Sequence, residues 1–274
     1  MFALRFIAAS SLTASQFSGI PHAAWTDYLC ALLAWFLATV HVYLLNGIAD
    51  SVNDRINGVG RPVGRGELDP RDATTAAWVI AAAALGFAVF VGLTMTVLVI
   101  AFLALGYAYS MPPFRLSRTW AGSSLIVTLG GLCTYLAGAV ATGAPRTADL
   151  IVFAVAMSLW MGLVGAVVKD FSDVAGDRAA HRRVLTLLVG EMRLRTWISV
   201  AAAAVAGGLA IGAYHLPVLE YPCAAVIFGA ALVIGYTLTT RYRDPRPVSR
   251  RPYRAFMITQ MAANFGAVLS VLPV

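Results

Sequence analysis

Two short stretches of the sequence carry acidic side chains at helical spacing, each directly after a long apolar run. The first acid cluster has an amide and two carboxylates at positions i, i+4 and i+8, namely Asn46, Asp50 and Asp54. The second acid cluster has three carboxylates at i, i+3 and i+7, namely Asp170, Asp173 and Asp177. On a helix each set shares one face, where like charges repel. The spacing therefore indicates two sites that a bound cation would neutralise.

The donor atoms indicate which cation this is. All of them are hard oxygens, without cysteine and without a convincing histidine set, which favours Mg²⁺ over zinc. Because Mg²⁺ usually binds a few carboxylates together with phosphate oxygens, the pattern points to a phosphorylated substrate. Basic side chains beside the clusters are suited to phosphate recognition. They are Arg61, Arg65, Lys169 and Arg178.

A simpler interpretation is that these carboxylates face cytosolic water at helix ends and pair with nearby arginines. It would explain any single aspartate well. Two clusters with similar spacing, and Asn46 on the face of the first, favour the cation site instead. Transporters also carry acidic residues at membrane depth, so the clusters alone do not separate an enzyme from a carrier.

The elements that position these clusters are predicted to be membrane helices. The chain has 274 residues, of which 59% are hydrophobic and 12% charged, with a mean hydropathy of +0.77. Soluble domains carry about 25% charged residues, so this composition argues against a water-soluble fold. The apolar stretches are continuous rather than alternating, which disfavours a β-barrel. We therefore expect an all-α, polytopic membrane protein.

Apolar runs long enough to cross a bilayer occur nine times along the chain. They are Leu4–Ile20, Trp25–Ile48, Thr74–Leu93, Met95–Tyr109, Trp120–Ala141, Leu150–Val168, Thr196–Tyr214, Tyr221–Thr239 and Phe256–Leu272. The uncharged stretch Thr74–Tyr109 is too long for one span. We expect two helices there, with the turn at Gly92-Leu93-Thr94.

The basic residues predict how the helices are oriented. The net charge is +7, and every Lys and Arg except Arg146 falls on one side of a nine-helix arrangement whose N-terminus lies on that side. The positive-inside rule assigns this side to the cytosol. Orientation in the membrane therefore explains the basic charge more simply than a nucleic-acid partner does.

The motifs around the clusters resemble those of the UbiA superfamily of intramembrane prenyltransferases. The first acid cluster matches N-x-x-x-D-x-x-x-D, and Arg61–Gly66 follows it as R-P-x-x-x-G. Asp173 and Asp177 match D-x-x-x-D, and Tyr109–Leu116 matches a third signature, Y-S-x-P-P-x-R-L. Downstream of Asp177, a usual G-x-x-T-L is altered, with His181 at the glycine position. These differences from the family pattern do not affect the acidic metal ligands, and they do not indicate which acceptor is bound.

The resemblance implies a single transmembrane domain over residues 1–274, with nine helices around a central cavity that opens to lipid. It implies transfer of a prenyl group from an isoprenoid diphosphate to a small acceptor, commonly aromatic. The protein would be integral to the membrane, the plasma membrane in a prokaryote, with its active site on the cytosolic side. Membrane lipid is an expected partner and nucleic acid is not.

The resemblance also implies roles for individual residues. Two Mg²⁺ ions would be held by Asp50, Asp54, Asp173 and Asp177, with help from Asn46. Substrate-binding roles fall to Arg61, Arg65, Lys169, Arg178, Tyr109, Arg115 and Asp170, the last as an outer partner of the metal. Aromatic faces that could stabilise an allyl cation are those of Tyr107, Tyr109 and Trp160.

Two alternatives stay open at the level of sequence. A terpene cyclase of the same fold would use the same metals to ionise the diphosphate, and an alkene of the same chain would then attack. A transporter or channel would use the acids as a cation path. Against the transporter, the two halves show no internal repeat, and the acids lie at one membrane face rather than at its midplane.

Overall fold

The computed structural model describes residues 2–14, 25–144 and 146–272. Within these ranges the chain forms helices and turns and contains no strand, apart from an isolated β-bridge between Thr119 and Arg183. The predicted all-α fold class is therefore confirmed. The chain divides into two compact units: unit 1 comprises Met1–Ser117 with Cys133–Pro145, and unit 2 comprises Arg118–Leu132 with Arg146–Val274.

Unit 1 contains the first six helices and the second half of the seventh. They are α1 (Phe2–Ala14), α2 (Trp25–Ala49), α3 (Ser51–Ile56), α4 (Pro62–Arg65), α5 (Pro70–Val91), α6 (Leu93–Ser110) and α7 (Trp120–Val140). Helix α2 packs against both α5 and α6. The rings of Trp35 and Phe102 meet there at 4.8 Å between centroids, and Gly106 makes room for Val42. These contacts fix the helix that carries the first acid cluster.

Unit 2 contains the first half of α7 and the remaining helices. They are α8 (Ala148–Leu159), α9 (Ala166–Val168), α10 (Val174–Ala179), α11 (Leu185–Leu188), α12 (Glu191–His215), α13 (Glu220–Thr239), α14 (Arg246–Ser249) and α15 (Arg251–Leu269). A π-helical turn at Trp160–Gly165 and a 3₁₀ turn at Lys169–Ser172 continue α8, so that Ala148–Ser172 forms one apolar span. The second acid cluster begins within the 3₁₀ turn.

Close glycine contacts hold the helices of unit 2 together. Gly229 of α13 lies against Thr259 of α15, and the ring of Phe256 covers Gly165 in the π-helical turn. The indole of Trp160 stacks on Phe256 at 6.0 Å. A side chain at either glycine would collide with its neighbour, so these positions keep the helices near each other.

Seven helices in the described part of the chain are long and apolar enough to cross a membrane, so the predicted count of nine is not confirmed. Helix α1 has only 13 residues, and the rest of the predicted first span lies outside the described residues. Helix α15, where the ninth span was predicted, begins with Arg251 and Arg254. The expected break in Thr74–Tyr109 is present at Gly92, whose φ of 134° suits glycine.

Candidate active site

The first acid cluster lies where α2 passes into α3, with Asp50 at the junction. The backbone N–H of Asp50 donates to the carbonyl of Asn46 at 3.0 Å, and that of Asp54 donates to the carbonyl of Asp50 at 2.8 Å. Because this i to i−4 pattern continues across the junction, the three side chains keep the common face that their spacing predicts. Nδ2 of Asn46 also donates to Oδ2 of Asp50 at 3.1 Å.

One arginine forms ion pairs with both carboxylates of the first acid cluster. Nη1 of Arg61 lies 3.1 Å from Oδ2 of Asp54 and 4.0 Å from Oδ2 of Asp50. The local fold supports this contact, because Gly64 packs against the side chain of Asp54 and Gly47 lies beside the stem of Arg61. The Arg61 side chain is 34% exposed, whereas Asp54 is nearly buried. Arg61 therefore lies beside the first acid cluster, as the sequence predicts, and the exposed part of its side chain can still meet a ligand.

Three other predicted residues of unit 1 lie in different settings. Arg65 donates to the carboxylate of exposed Glu67 at 2.6 Å rather than to the first acid cluster. Tyr109 is half-buried near the end of α6, and Arg115 is exposed with a φ of 44°. Their predicted roles toward the substrate stay predictions.

The second acid cluster follows a tight turn. The backbone N–H of Asp173 donates to the carbonyl of Asp170 at 3.2 Å, and that of Asp177 donates to the carbonyl of Asp173 at 2.9 Å. Because a 3₁₀ turn repeats every three residues, Asp170 and Asp173 fall on the same side of it. Asp170 and Asp177 are buried and Asp173 is half-buried. The cluster therefore presents Asp173 to the surroundings more than its two neighbours.

The most buried carboxylate of the second acid cluster pairs with a buried arginine. Nη1 of Arg182 lies 3.4 Å from Oδ1 of Asp177, and both side chains are almost fully enclosed. A β-bridge holds the following residue in place, since the N–H of Arg183 donates to the carbonyl of Arg118 at 2.7 Å. Arg182 was not predicted from the sequence as a residue of the site. Its backbone N–H donates to the carbonyl of Asp177 at 2.9 Å, which brings the two residues together.

The other carboxylates of this cluster also have basic neighbours. Nη2 of Arg246 lies 3.4 Å from Oδ1 of Asp173, and Nζ of Lys169 lies 4.0 Å from Oδ1 of Asp170. Arg178 is exposed at the end of α10. The sequence predicted Lys169 beside the acids but missed Arg246, which is 73 residues from its partner in the chain.

The donor set fits Mg²⁺ with an incomplete protein shell. No group of three or more His, Cys, Asp and Glu side chains arranged to hold a metal ion occurs in the part of the chain that the structure describes. Each cluster offers carboxylate oxygens to a cation, and the first adds the amide of Asn46. Mg²⁺ rarely takes an all-protein cage and completes its shell with water and phosphate oxygens, so sparse clusters suit it.

Comparisons with known proteins show what the whole chain is similar to. The chain is 29% identical over 244 residues to a digeranylgeranylglyceryl phosphate synthase of Halobacterium salinarum, which covers 88% of this chain and 84% of that protein. Among solved structures, an apo UbiA homologue from Aeropyrum pernix matches 98% of this chain and 95% of its own with a TM-score of 0.72 at 18% identity.

A second solved structure is a UbiA homologue from Archaeoglobus fulgidus bound to GPP and Mg²⁺. It matches 98% of this chain and 96% of its own with a TM-score of 0.64 at 18% identity. These likenesses show that the chain has the same fold. Residues 7–259 match the UbiA prenyltransferase family, and the chain therefore belongs to that family of membrane enzymes.

Proposed function

We propose that the protein ionises an isoprenoid diphosphate at its two acid clusters and transfers the prenyl group to a second substrate. The observation that carries the proposal is the arrangement around Arg61, where one guanidinium nitrogen lies 3.1 Å from Asp54 and 4.0 Å from Asp50. Two carboxylates that share a positive group are suited to share a metal ion. Family membership and the GPP and Mg²⁺ bound to the Archaeoglobus homologue support the same reading.

The metal ligands that we propose are Asp50, Asp54, Asp173 and Asp177, assisted by Asn46 and, through an outer contact, by Asp170. The number of ions that we propose is two, one for each acid cluster. Bound Mg²⁺ supplies positive charge that stabilises the diphosphate as its bond to the prenyl carbon breaks.

Side chains of this chain then act on the diphosphate and the prenyl group. Arg61 and Lys169, both partly exposed beside their carboxylates, are placed to donate charge-assisted hydrogen bonds to diphosphate oxygens. We propose the same role for Arg65, Arg178 and Arg115. The apolar helices exclude water from the prenyl cation, and the ring of half-buried Tyr109 can stabilise it through its face. The indole of Trp160, which the sequence also offered for this role, is fully buried and stacked on Phe256.

The acceptor that the sequence predicts is aromatic. The name of the Halobacterium relative indicates another class, because its product is a glyceryl phosphate that carries two prenyl chains. We keep the aromatic acceptor as the proposal and a prenylated glyceryl phosphate as the second acceptor to test. The basic loops favour a cytosolic active site, and in a prokaryote the plasma membrane, on the positive-inside rule.

Turnover assays on the purified protein test this function. The protein is incubated with Mg²⁺ and geranyl, farnesyl or geranylgeranyl diphosphate, alone, with aromatic acceptors, or with a prenylated glyceryl phosphate. We expect diphosphate release and a prenylated product only when an acceptor is present. A cyclic product from the diphosphate alone would indicate a terpene cyclase instead. Folded protein that releases no diphosphate in any mixture would contradict prenyl transfer and favour a carrier.

A further inference from the structure

The loop between α13 and α15 is anchored both to α12 and to the segment that carries the second acid cluster. Nη2 of Arg195 donates to the carbonyl of Thr240 at 2.7 Å and to the carboxylate of Glu191 at 2.6 Å, which fixes the start of the loop. Further along, the ring of Tyr242 meets that of Phe171 edge-on at 5.1 Å. Burial, reinforced by the charge of Glu191, raises the pKa of the Tyr242 phenol, so the ring stays neutral.

The anchored loop places Arg246 beside the second acid cluster. Nη2 of Arg246 lies 3.4 Å from Oδ1 of Asp173, and the hydroxyl of Ser172 donates to the same oxygen at 3.0 Å. The Arg246 side chain is 28% exposed and that of Asp173 is 16% exposed. The pair therefore lies at the surface of the cluster, where an incoming ligand can reach both partners.

The exposure of Arg246 separates it from the other arginine of this cluster. Arg182 is 6% exposed and faces a carboxylate that is itself fully buried, as expected of a structural ion pair. Arg246 resembles Arg61 instead, which is 34% exposed beside Asp54 in the first acid cluster. Each acid cluster thus has one partly exposed guanidinium on a carboxylate that we propose as a metal ligand.

Charge balance indicates what this arrangement does. The three carboxylates of the second acid cluster face three basic side chains, those of Lys169, Arg182 and Arg246. A divalent cation that enters among these three basic side chains would leave excess positive charge, which an anionic diphosphate arriving with it would compensate. Metal and diphosphate are then expected to bind together.

We propose that Arg246 is a further diphosphate-binding residue, which pairs with Asp173 and turns to the diphosphate oxygens when a metal ion takes that carboxylate. The inference rests on the proposed function, because it needs a metal–diphosphate ligand. A planar guanidinium suits both partners, since it can donate two parallel hydrogen bonds to either a carboxylate or a phosphate. The simpler alternative is that Arg246, like the rest of its basic loop, only contacts anionic lipid.

Binding measurements without turnover test the inference. Mn²⁺ affinity is measured by electron paramagnetic resonance on protein in neutral-lipid nanodiscs, with and without geranyl thiodiphosphate as an unreactive probe. Arg246→Gln should bind Mn²⁺ several-fold more tightly in the absence of the probe, because the competing cation has gone. The same variant should bind the probe in the presence of Mn²⁺ about tenfold more weakly, the loss expected for one charge-assisted hydrogen bond.

Matched variants separate this role from a structural or lipid role. Arg243→Gln removes an exposed charge from the same loop and should change neither affinity. Arg246→Lys keeps the positive charge, so its affinities for Mn²⁺ and for the probe should lie between those of Arg246→Gln and those of the parent protein. The inference is overturned if Arg246→Gln behaves as Arg243→Gln does, or if it weakens Mn²⁺ binding in the absence of the probe. A parent protein that does not bind the probe with Mn²⁺ would instead contradict the proposed function itself.

Discussion

At the scale of single residues, the carboxylates of the two acid clusters differ in how far they are enclosed. Asp177 is buried against Arg182, whereas Asp50 and Asp173 are partly exposed beside arginines that are themselves partly exposed. Pairing with arginines, the simpler interpretation of the sequence, therefore does occur. It is compatible with the proposed metal site, because an enclosed carboxylate needs a positive partner, which can be a guanidinium or a metal ion.

Replacing one accessible carboxylate should stop catalysis and spare the fold. Asp50→Ala or Asp173→Ala removes a proposed metal ligand, and charge stabilisation by a metal is worth several kcal/mol. We expect turnover to fall roughly 100-fold or more, measured as diphosphate release at saturating Mg²⁺. Asp72→Ala, which removes an exposed carboxylate in the first turn of α5, is the control and should keep its rate. Near-normal rates in Asp50→Ala or Asp173→Ala would remove the metal assignment.

The buried pair of Arg182 and Asp177 should matter for stability. Arg182→Gln takes the guanidinium away from an enclosed carboxylate, a change that destabilises proteins by about 3 kcal/mol or more. Thermal unfolding in detergent should show a clear drop in melting temperature. Arg61→Gln removes a partner that is 34% exposed, so its effect on unfolding should stay below about 1 kcal/mol. Equal melting temperatures for the two variants would show that burial does not separate these arginines.

At the scale of elements, turns and junctions place the clusters at helix ends. The turn after α10 contains His181, which has a φ of 52° in the left-handed region. The UbiA pattern usually has glycine at this position, and the backbone supplies the reason, since glycine adopts this conformation without steric strain. In this chain histidine adopts the left-handed conformation instead, at the cost of mild strain in the turn.

The effect of substitutions at His181 on stability should depend on the backbone conformation rather than on the chemistry of the side chain. His181→Val puts a β-branched residue into left-handed backbone and should lower the unfolding free energy by about 1 kcal/mol or more. His181→Gly should leave the unfolding free energy at or above that of the parent protein. Melting temperatures of the two variants compare these outcomes directly. A valine variant as stable as the glycine variant would mean that the turn relaxes.

The junction between α5 and α6 offers a second test of backbone geometry. Gly92 has a φ of 134°, which side chains rarely tolerate, so Gly92→Ala should destabilise the protein by about 1–3 kcal/mol. Gly86 lies inside α5 with open space around it, and Gly86→Ala should raise stability by about 0.5–1 kcal/mol. If the junction is rigid, chemical or thermal unfolding should show a lower unfolding free energy for Gly92→Ala and a higher one for Gly86→Ala. A neutral Gly92→Ala would indicate that the two helices tilt to accept it.

Sequence reasoning worked where a feature is local. Apolar runs predicted most of the helices, the uncharged stretch around Gly92 predicted a break, and the spacing of Asn46, Asp50 and Asp54 predicted a shared face. It failed for Arg246, because a loop of many arginines does not indicate which one reaches a carboxylate 73 residues away. The sequence also contained no sign that Arg65 pairs with Glu67, two residues away. Long-range ion pairs depend on how the helices pack, which spacing does not encode.

At the scale of the whole molecule, each compact unit carries one of the two acid clusters. The first lies in unit 1 and the second in unit 2. Neither unit holds the full set of proposed ligands, so the proposed function needs ligands from both clusters. On that proposal neither cluster has to build a closed metal site, since Mg²⁺ usually takes further oxygens from phosphate.

The most direct measurement is a density map of the protein with Mg²⁺ and geranyl thiodiphosphate. We predict metal density between the diphosphate and carboxylates of both clusters, with Asp50 and Asp54 on one side and Asp173 and Asp177 on the other. A diphosphate held by one cluster while the other stays paired with its arginines, or bound away from both, would contradict this account.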